Sequence, residues 1–480
     1  MKAVHLLLIM ALIGTALAAC GAPEEPRRDH VTGEQDAPVV IPPGGASDET
    51  EEGQTNLPPP DPGAATPVPL CADPQPPWVT DLEIRTPPPI SEPQVRSPFR
   101  DPTFGACLIR VTDRRDDLSA GDESQGLKNE YARVDAFNAD GSYLLVMGTG
   151  GEWFLYDAWS LQPVGRLPIG IEPRWDAADP YLLYYTDETR LMVYDLAAGQ
   201  SQLVHEFAGD VPGPTPAAVW TRYEGRPSMD TRTWGLMAED KDWIPTAFIV
   251  YDRLEEKVRV RDMRRVPGIE DDVDHVTISP LGTYFVAAFD GACERGQLGD
   301  DAHPCGLMVY DRDLNNGRGL LRIAGHYDIA LDAGGREVVL YQDIDTDQIS
   351  LLDLQSGQVT ALFPIDFSHS PIGFHFSGLA TGQPGWALIS TYSGGYPQAH
   401  TWMDDQIFAV ELRAGGRVVR LAHTHSLVDP GQEHDYWAEP HATVNRDFTR
   451  ILFTSNWGRS GSQEVEMYLI ELPAGWNRDL

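Results

Sequence analysis

FLYD at residues 154–157 returns as MVYD at 192–195, IVYD at 249–252, MVYD at 308–311, SLLD at 350–353, FAVE at 408–411 and YLIE at 468–471. Each is a strand-type apolar run closed by a carboxylate, and each follows a turn with Asp, Asn or Gly and another apolar run. Successive markers lie 38 to 60 residues apart, the range of four-stranded propeller blades with unequal loops. Seven markers predict seven blades. Helical periodicity of any length is absent, so the fold class is all-β, with an array of β-sandwiches as the competing arrangement.

The chain ends test that count. Internal units run past their acid into a fourth strand, such as Gln358-Val359-Thr360-Ala361-Leu362. After Glu471 only Leu472 to Leu480 remain, so the seventh unit lacks its outer strand. An unpaired run, Ala106-Cys107-Leu108-Ile109-Arg110-Val111, stands ahead of the first unit. Pairing 106–111 beside 465–471 closes the ring and removes an exposed edge. We therefore expect a seven-bladed β-propeller over 105–480, closed by an N-terminal strand and preceded by a lead-in segment, 78–104.

Residues 1–20 begin with Lys2, pass through an apolar stretch and end in Leu17-Ala18-Ala19-Cys20, the pattern of a secretory signal. The last four residues resemble the bacterial lipobox. That resemblance implies a lipoprotein whose Cys20 is acylated, for example with palmitate, and anchors the chain to a membrane. No other segment approaches the roughly 20 apolar residues of a spanning helix, so the body is expected in the bacterial cell envelope. Gly21, where inner-membrane lipoproteins carry aspartate, resembles an outer-membrane address. Residues 21–77 hold 14 prolines and no Lys, Trp, Tyr or Phe. Such a segment buries too little to offset its ordering entropy, and is expected to be a disordered tether with a reach of about 40 Å.

The chain carries 36 Lys plus Arg against 72 Asp plus Glu, a net charge of −36, which excludes a general nucleic-acid binder. With Cys20 set aside, four cysteines remain in an oxidising compartment and allow three pairings. Cys293 and Cys305 flank a Gly- and Asp-rich loop and are expected to staple it, leaving Cys71 with Cys107; four free thiols are the alternative. A monomer is expected.

In a propeller the first strand of each blade lines the channel, so chemistry is sought where first strands begin. Those places read Asn129-Glu130-Tyr131, Glu172-Pro173-Arg174-Trp175, Asp274-His275, His326-Tyr327-Asp328, GFHFSG around His375, and Tyr436-Trp437-Ala438-Glu439-Pro440-His441. Aligned on the following turn, His275 and His441 share a register, with Asp328 and Glu172 as their equivalents. Imidazole and carboxylate supply general acid–base groups and ligands for a divalent metal ion. The metal set expected is His275, His441 and Glu439. For any one histidine a structural role is the commoner fate. Trp402, Trp437 and Trp457 lie near predicted loops and suit sugar rings, although blade packing competes for them. Glu130, Glu172, Asp274, Asp328 and Glu439 make the mouth acidic, with Arg174 as the counter-charge in view. Asp343-Ile344-Asp345-Thr346-Asp347 begins like a calcium loop but lacks its glycine and glutamate, which favours a solvated hairpin. GxSxG, Walker, dinucleotide, HExxH and CxxC motifs are absent.

The run EPHATVNRDFTRILFTSNWG, 439–458, resembles repeats of Tol-associated bacterial propellers and of oligogalacturonate-lyase-like and ulvan-lyase-like enzymes. Oligogalacturonate-lyase-like proteins carry a metal-binding Gln-x-x-His-x-His run in the corresponding place, and His441 is the residue matched here. Two functions follow. One is a tethered recognition module for a protein or glycan partner, which the incomplete catalytic set and the acidic rim favour. The other is a glycan-degrading enzyme with His441 or His375 as general base and Tyr436 as proton donor.

Overall fold

A computed structural model of the chain describes residues 70–267, 269 and 273–480. The signal, Cys20 and nearly all of the tether lie outside the described residues. Seven antiparallel sheets follow one another along the chain, six with four strands and one with five. Among the described residues the helices are one short α turn, Arg114–Asp117, and two 3-10 segments, Glu433–Ala438 and Trp476–Asp479. None is long and apolar enough to cross a membrane.

The ring closes as the chain ends required. Cys107–Arg110 pairs with Glu466–Glu471 in the register Cys107 to Glu471 and Arg110 to Tyr468. The short strand Pro98–Arg100 adds itself outside Cys107–Arg110, which makes the closing blade five-stranded and was not expected. Both disulfides form, Cys71 with Cys107 and Cys293 with Cys305. Cys71, placed in the tether by its composition, is buried, so the folded body already includes it.

The acid that marks each blade has a local cause. Asp157 Oδ1 accepts the backbone N–H groups of Trp159 and Ser160, and Asp195, Asp252, Asp311 and Asp353 cap their turns in the same way. A carboxylate there satisfies amides that the tight turn leaves without a strand partner. The seventh marker has no such turn to cap. Glu471 instead accepts from Cys71 N at 2.8 Å, which ties the beginning of the folded body to its last blade.

The lead-in segment straps the outer edges of the last two blades. Val79 bridges to Arg420, whose guanidinium is fully buried and donates to Glu83 O at 2.6 Å, Trp402 O at 3.1 Å and Gln406 Oε1 at 2.8 Å. The Trp457 indole N–H donates to Ile90 O at 3.1 Å, and Arg459 pairs with Glu92 at 2.8 Å. The acidic hairpin of blade five holds an ion pair between Asp345 and Arg322 at 2.6 Å.

In blade six the fully buried Asp405 accepts from Ser393 N at 2.8 Å and Ser393 Oγ at 2.9 Å. Burial pushes its pKa up from 3.8 to about 8, and the nearby Asp404 adds to the rise. The folded state therefore keeps a proton that the unfolded chain releases at lower pH. This contribution to stability is complete below about pH 4 and is lost as pH rises through about 8. The Tm of the folded body should fall between pH 5 and pH 9, and Asp405→Asn should make that fall shallower. Parallel slopes for the two proteins in a thermal-melt series would remove Asp405 from this account.

Candidate functional site

Blade seven enters the channel through the 3-10 segment Glu433–Ala438, which ends at Glu439-Pro440-His441 just ahead of the strand Thr443–Val444. His441 holds a left-handed backbone, φ 39°, a strained conformation for a side chain of this size. From the adjacent blade, the strand Ile372–Ser377 supplies His375. His375 Nε2 lies 2.8 Å from Glu439 Oε2, His441 Nε2 lies 3.5 Å from the same oxygen, and the two imidazole centroids are 4.1 Å apart. All three side chains are buried. His441 Nε2 and His375 Nδ1 make no hydrogen bond.

Burial drives both imidazoles well below the ordinary histidine pKa, and the cations Lys128 and Arg133 push in the same direction. Both rings are therefore neutral, with lone pairs available. Lys128 Nζ lies 3.3 Å from His441 Nδ1 and over the Tyr436 and Trp437 rings at 5.9 and 5.2 Å. The Tyr131 ring packs against His375 at 5.4 Å and His441 at 4.8 Å. His326 sits 5.2 Å from His375, ring to ring, half-buried. Burial, then His375 and Arg133, hold its pKa down to about 3.

A second group lies on blades three and four. His275 Nδ1 is 2.9 Å from Asp274 Oδ2 and 3.6 Å from Glu224 Oε2. Its Nε2 faces Arg133 at 2.6 Å and the Tyr327 hydroxyl at 2.8 Å. Arg133 in turn lies 4.5 Å over the Tyr327 ring and 5.2 Å over the Tyr131 ring, between the two groups.

The expected metal set is thus divided. Glu439 and His441 come together as predicted, but their third partner is His375, while His275 joins Glu224 and Asp274. Tyr436 lies beside the first group, 5.9 Å from His441 ring to ring. Arg174 is buried and committed to Glu130 at 2.7 Å and to three backbone carbonyls. Asp328 is likewise spent, on Arg226 at 3.0 Å and on Gly378 N at 2.6 Å. Of the three tryptophans proposed for sugar, Trp437 is buried, Trp457 stacks between His425 and Tyr468, and Trp402 packs on Phe363 and Phe408.

The acidic mouth also needs correction. Lys128, Arg133 and Arg226 join Arg174 around the channel, so carboxylates there meet cations. Burial raises Glu130 to about 7 even against Arg174. Sequence reasoning missed Lys128 because its strand, Leu127–Lys128, is two residues long, and Glu224 because it follows the three-residue strand Ala218–Trp220. Neither strand gives a periodic signal.

Fold and site together define a seven-bladed β-propeller with an imidazole–carboxylate group at one channel mouth. No family model and no curated protein matches the sequence. Solved structures do. Oligogalacturonate lyase in complex with manganese aligns at TM-score 0.54 and 15% identity, covering 84% of this chain and 99% of that one. The oligogalacturonate lyase of Vibrio parahaemolyticus aligns at 0.54 and 14%, covering 83% and 99%. TolB from Acinetobacter baumannii aligns at 0.31 and 16%, covering 62% and 63%. These identities speak to the fold alone.

Proposed function

We propose that this mouth is the active site of a divalent-cation-dependent enzyme that cleaves uronate-containing glycans by β-elimination. The observation that carries the reading is the convergence of His375, Glu439 and His441. Ligand atoms about 2.0–2.2 Å from a first-row metal stand roughly 3–3.5 Å from one another, and the spacings of 2.8 and 3.5 Å fit that demand. The lone buried Nε2 of His441 is the donor such an ion would take. The first of the similar structures, itself a lyase, holds manganese.

A bound divalent cation would act as a Lewis acid, neutralising the uronate carboxylate and acidifying the carbon beside it. The chain's own groups do the rest. Arg133 and Lys128 make the buried mouth attractive to a carboxylate, since charge interactions strengthen where water is excluded. His375 and His441, as ligands of that ion, would not be free to serve as bases, so that role passes to His326, neutral and beside them. It takes the proton α to the carboxylate, the electron pair forms the double bond, and the glycosidic carbon–oxygen bond breaks. Tyr436 is placed to return a proton to the leaving oxygen.

A recognition module without chemistry keeps one specific observation. Metal-bound histidines usually donate their second ring N–H to an acceptor, whereas His441 Nδ1 faces the amine of Lys128. Metal analysis and a lyase assay on the folded body decide between them. We expect one divalent ion per chain and an ultraviolet-absorbing unsaturated product from oligogalacturonate, lost with chelator. Metal-free protein that leaves a panel of uronate glycans uncut would establish the recognition role. We also propose that the protein is lipid-anchored through Cys20 in the bacterial envelope, with the stretch ahead of Cys71 as its tether, and presents its mouth to extracellular or periplasmic glycans.

A further inference from the structure

Twelve tryptophans occur in the chain, and Trp243 is the one left exposed, at 38%. It stands at the tip of the hairpin between Thr233–Glu239 and Pro245–Asp252 in blade three. That hairpin connects second to third strand, so it belongs to the same mouth as Glu439 and His441. The tip is built to hold the ring out. Asp240 Oδ1 accepts from Asp242 N at 2.9 Å and Ile244 N at 3.1 Å, and Trp243 N donates to Asp240 O at 3.0 Å. Trp243 itself has φ 62°, a left-handed conformation that a bulky residue adopts only where the surroundings impose it.

Behind it runs a ladder of rings. Trp220 lies 5.7 Å from Trp243 and 5.1 Å from Tyr223, centroid to centroid. Trp220 is buried and pinned through its indole N–H to Glu239 Oε2 at 2.7 Å. Arg222 and Tyr223 also have left-handed backbones, φ 67° and 72°. Glu172 holds that turn by accepting the backbone N–H groups of Thr221 and Tyr223. The ladder therefore starts at the rim and leads inward to Glu172 on the channel wall.

We propose that Trp243, backed by the buried Trp220 and by Tyr223, forms a sugar-stacking subsite across the mouth from His375, Glu439 and His441, so that the substrate is an oligosaccharide long enough to occupy both. The clause on substrate rests on the enzymatic reading above; the stacking site does not. Blade three lies opposite blades six and seven in a ring of seven. A rigid aromatic face with polar neighbours suits a sugar ring, which presents C–H groups on its face and hydroxyls at its edge. Asp240, Lys241 and Asp242 supply those neighbours. A protein partner fits less well, because one indole ringed by charges is far short of the roughly 800 Å² per side of a stable interface.

The test is affinity as a function of chain length. Binding of short and long oligogalacturonates is measured by tryptophan fluorescence and calorimetry with metal-depleted protein, so that nothing is turned over. Wild-type protein should bind the long chains about tenfold more tightly than the short ones, with quenching of fluorescence. Trp243→Ala should lose that gain, Trp243→Phe should keep most of it, and Leu254→Ala, on the 67% exposed Leu254 of another turn, should behave as wild type. An unchanged length dependence in Trp243→Ala overturns the subsite, whether or not the protein proves to be a lyase. Tight, Trp243-dependent binding by a protein that still cuts nothing once divalent metal is restored would uphold the subsite and dismiss the enzymatic reading.

Discussion

Glu466→Ala is expected to cost about 3 kcal/mol of stability, the scale on which buried ion pairs fail when one partner is removed. Glu466 is fully buried at the start of the third strand of blade seven, and its partners come from the closing strand and the turn after it. It accepts from Arg110 at 2.8 Å, Thr112 Oγ1 at 2.7 Å and Arg114 at 2.7 Å. Removing it leaves two guanidiniums facing each other in a poorly solvated joint. Asp113 and Glu464 still pair with them, at 3.1 and 2.7 Å, which keeps the loss below the upper end of the range. Glu466→Gln keeps one accepting oxygen for these donors and removes the charge, so it should fall between. Urea unfolding of the three proteins measures this, with the midpoint shifting and the slope preserved. A loss under 1 kcal/mol in Glu466→Ala would mean that the disulfide Cys71–Cys107 and the strap hold the ring without this carboxylate.

Closure was readable because strand count and chain length are local facts. In blades one to five the carboxylate at the end of the third strand caps the next turn, so Asp157, Asp195, Asp252, Asp311 and Asp353 advertise a blade wherever the backbone needs that cap. The choice of partners across the channel left no such trace. Glu439 meets His375 across 64 positions of sequence, and Arg133 meets His275 across 142. Register within a blade says which residues point inward, but not which inward residues touch. The tryptophans show the same limit. Trp402, Trp437 and Trp457 lie near loops, yet packing between blades takes them all, whereas Trp243 is exposed by a strained turn whose φ no composition reveals.

Glu439→Gln and His441→Ala are expected to lose the divalent ion and to lower kcat/KM on oligogalacturonate by about 10³-fold or more, equivalent to about 4 kcal/mol of transition-state stabilisation. His326→Ala should behave differently. It removes a proton acceptor while leaving the three ligands in place, so the ion should stay bound while kcat falls about 10²- to 10⁴-fold, with little change in KM. The contrast separates holding from reacting. If His326→Ala also loses the ion, the imidazole belongs to the ligand set and the base lies elsewhere, with Lys128 next in position at 3.3 Å from His441. If Glu439→Gln keeps both ion and activity, the carboxylate is only a hydrogen-bond acceptor for His375. The metal would then have to sit on blades three and four, where His275, Asp274 and Glu224 also converge. Arg133 crowds that second group, with its guanidinium 2.6 Å from His275 Nε2. A cation that close disfavours a second one, whereas at His375, Glu439 and His441 Lys128 faces Nδ1 of His441 and leaves its Nε2 unbonded.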